Sequence, residues 1–305
     1  MKTYLLKRFV HQLATLVALI ALVFLVTHVI GDPIRLMLPD WAPEEMVEAT
    51  REKYGLNAPL YVRFGRYIGG LVRLDFGTSI RSGVPNLDLI LSRLPATFLL
   101  AFVGIGVAAA VGLPLGTFGA LKPGSVVDRV LTSLTSLAAT SLDFWIAMLL
   151  IFFVSVELGL LPTSGYGDLK HLILPAVVVA LRPMGRIAQV TRPAVMNELA
   201  KPYIVALRAR GLAEPRILFL HAARNAGIVL VTLTGYEFAL MVNGSAIIET
   251  VFAWPGIGFL LVQAIRDRDP NLILSVTIFV ASIVIVLNLL IDLVYAWLDP
   301  RVRYG

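Results

Sequence analysis

The sequence predicts an all-α membrane protein with six transmembrane helices. Of its 305 residues, 58% are hydrophobic and 15% are charged, whereas soluble domains average about 45–50% apolar and about 25% charged residues. Several apolar runs reach the roughly 20 residues that a helix needs to cross the bilayer core. There is no cysteine, so disulfides, thiolate zinc sites and cysteine nucleophiles are excluded.

Six apolar segments define the predicted spans. Their bounds are about 9–30, 96–121, 130–158, 172–192, 226–250 and 272–298. The first span follows Lys2, Lys7 and Arg8, as the apolar region of a secretion signal would. It is longer than such a region and ends without a small-x-small cleavage site, so we interpret it as an uncleaved transmembrane helix.

The distribution of basic residues predicts the orientation. Between and around the spans, one side holds most of the cations, which include Lys2, Lys7, Arg8, Lys122, Arg129, Arg192, Lys201, Arg208, Arg210, Arg216, Arg224, Arg301 and Arg303. The two short loops on the other side hold only Lys170, Arg266 and Arg268. Basic residues are retained in cytoplasmic loops, so both termini are predicted to be cytoplasmic. The net charge of +6 then needs no nucleic-acid partner.

The span pattern divides the chain into four predicted regions. They are a cytoplasmic N-terminus with the first helix, 1–30; a folded periplasmic insertion, 31–95; a core of helices 2 to 6, 96–298; and a cytoplasmic tail, 299–305. Within the insertion, Gly31-Asp32-Pro33 predicts a chain reversal, residues 43–54 a short helix, and Gly77-Thr78-Ser79 a turn.

Small residues form a ridge along the second span. They recur every four positions, at Gly104, Ala108, Gly112, Gly116 and Ala120. Helices in lipid associate where small residues let their backbones approach closely. The ridge therefore predicts a helix contact, either within the chain or with another subunit.

The most informative segment is 198–228, which is too polar to span and lies on the positive side. It predicts one helix, a break at Gly211, and a second short helix from about Glu214 with Pro215 in its first turn. Tyr203, Ala206, Leu207 and Arg210 fall near one face of the first helix, and Ile217, Leu218 and Leu220 form an apolar side of the second. Such amphipathic helices lie on lipid headgroups or enter a groove on a partner protein. The composition leaves both open.

This segment resembles the EAA loop of ABC importer permeases, whose coupling helix contacts a cytoplasmic ATPase. Ala206 and Gly211 occupy the family's alanine and glycine positions, and the run from His221 to Ala226 resembles the His-Ala-Leu-Arg-Asn-Ala of the dipeptide/oligopeptide/nickel branch. Val205 replaces the glutamate of the general motif, and Val229 a usual proline. The resemblance assigns ATPase docking to Tyr203, Ala206, Arg208, Gly211, Pro215, His221, Arg224 and Asn225.

Four further motifs resemble the B-type permeases of that branch, which are binding-protein-dependent inner-membrane components. They are Gly31-Asp32-Pro33, Asp75-Phe76-Gly77-Thr78-Ser79, the stretch from Glu249 to Gly258 (ETVFAWPGIG), and Asp299-Pro300-Arg301 with Arg303. The resemblance covers nearly the whole chain in order. It implies a type I importer (MetI-like) core, with the first helix and the periplasmic insertion as additions.

The resemblance also implies the partners and the transported molecule. A second homologous permease, two cytoplasmic ATPases and a periplasmic solute-binding protein would assemble with this chain in the bacterial inner membrane. The sequence has no G-x-x-x-x-G-K-[ST] phosphate loop, so ATP and magnesium are expected on the ATPases and no cofactor or catalytic residue on this chain. A di- or oligopeptide is the implied substrate, and nickel, glutathione and opines are carried by near relatives.

Charged residues inside predicted spans are costly and therefore mark functional candidates. Asp143, Arg182, Arg186 and Glu237 are such residues, and Asn243 is a polar candidate beside them. One hypothesis is that they line an aqueous path and contact a zwitterionic substrate. The other is a structural Arg182–Glu237 pair, or an arginine that reaches the cytoplasmic interface. Asn243 either lines the path or bonds to a neighbouring helix.

The stretch after the fifth span has two interpretations as well. Glu249, Trp254, Pro255 and Gly256 either form an outer gate near the docked binding protein, or a tight turn with Trp254 as an interfacial anchor.

Two function classes compete with the importer hypothesis. An ion-coupled transporter would favour internal repeats and broken helices at the midplane, but the sequence shows no repeat. A membrane enzyme would need a placed nucleophile or metal set, and only Asp143 and Glu237 offer weak support for one. A purely structural subunit would leave the segment 198–228 unexplained.

Overall fold

The computed structural model describes residues 2–29, 41–53 and 57–298. Over these residues the secondary structure is helical, without a β-strand and with one isolated antiparallel bridge between Thr78 and Pro85. Two of the predicted motifs, Gly31-Asp32-Pro33 and residues 299–303, lie outside the described residues.

Thirteen α-helices occur in this described part of the chain. In order they are α1 Lys2–Val29, α2 Glu44–Lys53, α3 Leu60–Val72, α4 Asn86–Gly119, α5 Val126–Ala139, α6 Asp143–Leu150, α7 Leu169–Leu199, α8 Pro202–Ala209, α9 Glu214–Arg216, α10 Ala223–Gly244, α11 Ala246–Val251, α12 Ile257–Arg266 and α13 Pro270–Leu298. Two π-helical segments, Ile151–Glu157 and Ile217–Ala222, continue α6 and α9.

Three of the described helices are long and apolar enough to cross a membrane on their own. They are α4, α7 and the part Pro270–Val294 of α13. Two bent pairs raise the number to five if each pair forms one span: α5 with Asp143–Glu157, and Glu214–Gly227 with Val229–Asn243. Helix α1 occupies the position of the first predicted span. The total of six spans stays a prediction.

The third predicted span, 130–158, is not one straight helix. It breaks at residues 140–142, where α5 and the helix that begins at Asp143 enclose an angle of 100°. The hydroxyl of Thr140 donates to the Ser136 carbonyl at 2.9 Å, and that of Ser141 to the Ala138 carbonyl at 2.8 Å. These hydroxyls add hydrogen bonds to carbonyls of the last turn of α5, which also accept hydrogen bonds from the backbone N–H groups of Thr140 and Ser141.

The described residues form two compact units. One comprises the residues up to Ala96 together with Pro255–Val286, and the other comprises Thr97–Trp254 with the residues from Leu287 onward. In the first unit, α12 and the start of α13 pack against the start of α4 in one apolar cluster. A second cluster joins α1, α3 and α13.

Buried polar contacts fix the loop before α4 within the first unit. Asp269 is 1% exposed, and its Oδ2 accepts hydrogen bonds from the Ser79 hydroxyl at 2.7 Å and the Ile80 N–H at 2.9 Å. The amide of Asn86, also buried, donates to the Phe76 carbonyl at 2.9 Å. Buried polar groups need hydrogen-bond partners. The polar residues in and around the Asp75–Ser79 motif supply these partners and so hold the loop in place.

The predicted insertion contains one helix that the sequence pattern indicated and one that it did not. Helix α2 matches the short helix predicted over 43–54, with Glu44 and Glu45 in its first turn. Helix α3 was missed because it contains Gly65, Gly69 and Gly70, and glycine lowers helix propensity by about 1 kcal/mol per residue relative to alanine. It forms because its apolar face packs on α1, for example Phe64 on Phe24.

The small-residue ridge of α4 is a contact within the chain. A methyl group on Gly116 would lie 2.5 Å from the Ala188 carbonyl oxygen of α7, and one on Gly112 would lie 2.7 Å from the Met184 carbonyl oxygen. On α7 itself, Gly185 is packed equally closely against Thr135 of α5. Helix α7 is therefore held between α4 and α5 by backbone contacts that only glycine allows.

We expect Gly116→Ala to destabilise the protein by about 1–3 kcal/mol, because the added methyl must displace backbone rather than a flexible side chain. Gly106→Ala is the matched control, since it lies on the same helix with no atom within 4 Å of the added methyl. Thermal unfolding of both variants in detergent checks this. Equal melting temperatures for the two would contradict the packing.

Candidate functional site

The four predicted intramembrane charges meet in one cavity of the second unit. Asp143 comes from α6, Arg182 and Arg186 from α7, and Glu237 from α10, and all four line an open cavity of about 360 Å³, a volume that includes solvent at its mouth. Its apolar lining consists of Val179, Pro183, Leu240 and Met241. Asn243 is exposed near the end of α10 and is not among the lining residues.

The pairing of these charges differs from the predicted Arg182–Glu237 pair. Arg182 donates through Nη2 to Asp143 Oδ2 instead. Arg186 donates through Nη1 to Glu237 Oε1 at 3.2 Å. The two arginines lie one turn apart on α7, and Arg182 contacts α6 whereas Arg186 contacts α10. Sequence spacing could not show this, because the pairing depends on which helices flank α7.

The acids and the arginines differ in depth. The side chain of Glu237 is 3% exposed and that of Asp143 is 17% exposed, whereas Arg182 and Arg186 are 43% and 42% exposed. A buried carboxylate needs a nearby cation, since an unpaired buried charge is costly. The arginines satisfy this need while they also face the open part of the cavity.

Helix α8 forms the first half of the predicted coupling segment. Pro202 starts it, because proline fits the first helical turn, where its missing N–H costs nothing. Gly211 ends it with φ +75°, and the N–H groups of Gly211 and Leu212 bond back to the carbonyls of Arg208 and Leu207. This helix-ending motif requires a left-handed residue, which confirms the predicted break at Gly211.

The buried face of α8 is centred on Ile204. Ile204 is fully buried, with Tyr203 and Leu207 packed beside it, whereas Ala206 and Arg210 are exposed. Ile204 belongs to a cluster that joins the ends of α4, α7 and α10 to the π-helical segment, and its buried members are Ala120, Val195, Ile204, Ile217, Leu218, Ala222, Ala226 and Leu230. Of the predicted apolar side of the second helix, Ile217 and Leu218 are buried in this cluster, whereas Leu220 is 47% exposed.

The second half of the segment is not a separate short helix. It begins at Glu214, with Pro215 in the first turn as predicted, and passes through the π-helical segment into α10. The second helix of the segment therefore runs into α10, which bends by 60° between Gly227 and Val229 before it reaches Glu237. His221 is partly buried in the π-helical segment, and Arg224 is exposed at the start of α10.

Polar contacts hold α8 in place. The Tyr203 hydroxyl donates to Glu198 at 3.0 Å and accepts from the Asn225 amide at 3.0 Å. Burial raises the pKa of Tyr203, so the phenol stays neutral and can play both roles. Across the Gly211 turn, Arg208 contacts Glu214 through two nitrogens at 2.6 and 3.2 Å, and this hydrogen-bonded partner raises the pKa of Arg208.

Of the predicted outer-gate residues, Glu249 and Trp254 belong to the second unit, and Pro255 and Gly256 belong to the first. Glu249 is fully buried and accepts hydrogen bonds from the hydroxyls of Thr97 at 2.9 Å and Ser245 at 2.8 Å. Trp254 is 2% exposed and packs edge-on against Tyr166, with ring centroids 4.8 Å apart. Burial of Trp254 contradicts its interpretation as an interfacial anchor. The tight turn is present, with Ala253 in the left-handed region at φ 49° before Pro255 and Gly256.

One ion pair was missed from the sequence. Arg192 of α7 contacts both oxygens of Asp128 at 2.6 and 2.8 Å, and Asp128 also accepts from the Gly124 N–H and the Thr132 hydroxyl. The available signal was Ser125, which caps α5 by accepting from the Asp128 N–H and so marks Asp128 as a first-turn acid. The pair ties the start of α5 to α7.

Comparison with known proteins decides the family. Residues 112–304 match the model of the binding-protein-dependent transport system inner membrane component. The chain is 36% identical to the oligopeptide transport system permease protein AppB of Bacillus subtilis, over the full length of both.

The chain belongs to this family.

Further similarities agree with this assignment. The chain is 35% identical to the glutathione transport system permease protein GsiC of Escherichia coli K12, over the full length of both. The fold is shared with a chain of the MetNI methionine ABC transporter at a TM-score of 0.60 and 19% identity, covering 70% of this chain and 97% of that one. The predicted resemblance is confirmed, and the chain is a membrane permease component of a peptide-type ABC importer. Membership decides against the ion-coupled transporter and the membrane enzyme.

We expect neutralisation of Arg186 to destabilise the protein more than neutralisation of Glu237. Arg186→Gln leaves a deeply buried carboxylate without its cation, a loss that costs about 3–5 kcal/mol in fully buried pairs and less here because Arg186 is partly solvated. Glu237→Gln leaves a half-exposed guanidinium, so its effect is smaller. The double variant should resemble Glu237→Gln. Unfolding midpoints measure this, and equal losses from both single variants would contradict the burial difference.

Proposed function

We propose that this chain forms half of the translocation path of an ATP-driven importer for di- or oligopeptides. A periplasmic binding protein delivers the substrate, and a second homologous permease completes the path. Two cytoplasmic ATPases bind ATP and magnesium and drive transport. The full-length similarity to permeases of peptide systems carries this proposal.

Helix α8 is the proposed ATPase docking element. Its buried side is fixed through Ile204, whereas Val205 and Ala206, which point away from that side, and Arg208 are exposed. A short helix with one face anchored and the other free suits insertion into a groove on a partner. Because the anchoring cluster includes the ends of α7 and α10, displacement of α8 by closing ATPases would be transmitted to the helices that carry Arg182, Arg186 and Glu237.

The charged cavity is the proposed polar part of the path. It is open, and both arginines face its space rather than being enclosed by their acidic partners. This exposure favours contact with substrate over a purely structural pairing. A place for Asn243 on the path and an outer gate formed by Glu249, Trp254, Pro255 and Gly256 are further parts of this proposal.

Docking on α8 can be tested with two variants that each replace an exposed alanine by glutamate. Ala206→Glu adds a charge to the exposed face of α8, and Ala49→Glu adds the same charge to an exposed position of α2, on the predicted periplasmic side. We expect ATPases to copurify with the tagged wild type and with Ala49→Glu, but not with Ala206→Glu. Gly211→Pro should also lose them, because proline cannot adopt the positive φ of Gly211.

Mass spectrometry identifies the copurified chains. A wild-type sample that carries a second permease but no ATPase would overturn the docking proposal. Loss of ATPases from Ala49→Glu as well would show that the substitution acts through general misfolding.

The proposed orientation can be tested by labelling, since the natural chain has no cysteine to remove. We expect Ala49→Cys to react with a membrane-impermeant maleimide added to spheroplasts. Ala206→Cys should react only after the membrane is permeabilised, because α8 is placed in the cytoplasm. The reverse labelling pattern would refute the orientation.

A further inference from the structure

The ion pairs of the charged cavity differ from the structural ion pair on the same helix. Arg192 donates two hydrogen bonds to the carboxylate of Asp128, which also accepts hydrogen bonds from the Gly124 N–H and the Thr132 hydroxyl. Asp128 is 6% exposed and Arg192 is 30% exposed. This is how the chain builds an arginine–carboxylate pair that holds two helices together.

The cavity pairs are held by single contacts. Within the described residues, Arg182 makes one hydrogen bond to Asp143 and Arg186 makes one to Glu237. The second oxygen of Asp143, Oδ1, is buried and has no hydrogen-bond partner in the described part of the chain. A guanidinium has five N–H donors, so each cavity arginine retains donors that its acidic partner does not use.

Charge in the cavity is sorted by depth. The carboxylates are the more buried groups, with Glu237 nearly enclosed, and the guanidinium groups are the more accessible ones, each more than two-fifths exposed. The four charges sum to zero, but an entering molecule meets the cationic groups first. Positions 182 and 186 are one helical turn apart, which places both guanidiniums beside the same space.

A carboxylate is the ligand that such a surface fits. Arginine pairs with carboxylates through parallel charge-assisted hydrogen bonds, which are roughly twice as strong as neutral ones. The acids behind the arginines fix the guanidiniums in the cavity and spare them the cost of isolated charge. The acids are the less exposed members of both pairs, so an ammonium group would find less accessible surface to contact than a carboxylate would.

We propose that Arg182 and Arg186 bind the carboxylate of the transported molecule, so that the permease itself selects for substrates that carry one. This inference rests on the proposed function, because it takes the cavity to lie on the path. The carboxylate could belong to the C-terminus of a peptide or to an acidic side chain, and the chemistry of recognition is the same.

Binding of model peptides to the full chain in nanodiscs tests this directly. Isothermal titration calorimetry would compare trialanine, trialanine amide, and the amide of Ala-Glu-Ala, which moves the carboxylate to a side chain. We expect the amide to bind about ten- to a hundredfold more weakly than trialanine, as loss of charge-assisted hydrogen bonds implies. Recovery with Ala-Glu-Ala amide shows that any carboxylate serves, and no recovery shows that the C-terminus is read; both support the proposal.

Variants that neutralise both members of an ion pair leave no buried charge unpaired. We therefore expect them to fold, so that their peptide binding can be measured. In Asp143→Asn/Arg182→Gln and Arg186→Gln/Glu237→Gln, we expect the difference between trialanine and its amide to shrink at least fivefold. Gln189→Ala is the control, since Gln189 lies on α7 but lines a different cavity, and it should keep the full difference.

Equal binding of trialanine and its amide to the wild type, or binding of neither, overturns the proposal. So does a wild-type preference that both neutral-pair variants retain. The assay contains no ATPase and no binding protein, so its failure is separate from a failure of the copurification test.

Discussion

Glycine contacts on two sides of α7 fix the position of everything that this helix carries. Gly112 and Gly116 of α4 leave no space for a methyl group against the α7 backbone, and Gly185 leaves none against α5. Without a strong hydrophobic drive between helices in lipid, such close backbone approach is the main source of attraction. Because α7 cannot shift easily between its neighbours, Arg182 and Arg186 are presented at defined points of the cavity wall.

The same helix connects the cavity to the segment that faces the proposed ATPases. Val195 near the end of α7 and Leu230 of α10 pack in the cluster that buries Ile204 of α8. Arg182 and Arg186 lie on either side of Gly185 in the sequence of α7. Nearer the C-terminal end of α7 lies the bidentate contact of Arg192 with Asp128. Packed helices move as rigid bodies when a neighbouring element is displaced. A displacement of α8 can therefore move α7 and α10 and change the distances between the charges of the cavity.

The sequence predicted the parts of this arrangement that depend on local pattern. Helicity, the glycine ridge, the break at Gly211 and the candidate charges at 143, 182, 186 and 237 all follow from composition and periodicity. It did not predict which arginine contacts which acid, because that depends on the helices flanking α7. Helix α3 was hidden by its three glycines, and the break after α5 by the apolar residues around Thr140 and Ser141.

That break has a consequence for what surrounds the protein. Hydrocarbon chains offer no hydrogen bonds, so irregular backbone at bilayer depth is stable only against protein or water. Thr140 and Leu142 are exposed on this chain, and Asp143, immediately after them, opens into the charged cavity. The side of the protein that carries the 100° bend is therefore unsuited to contact with the lipid annulus. It belongs at a wetted vestibule or a seam between subunits, where solvent or another chain, rather than hydrocarbon, faces the irregular backbone.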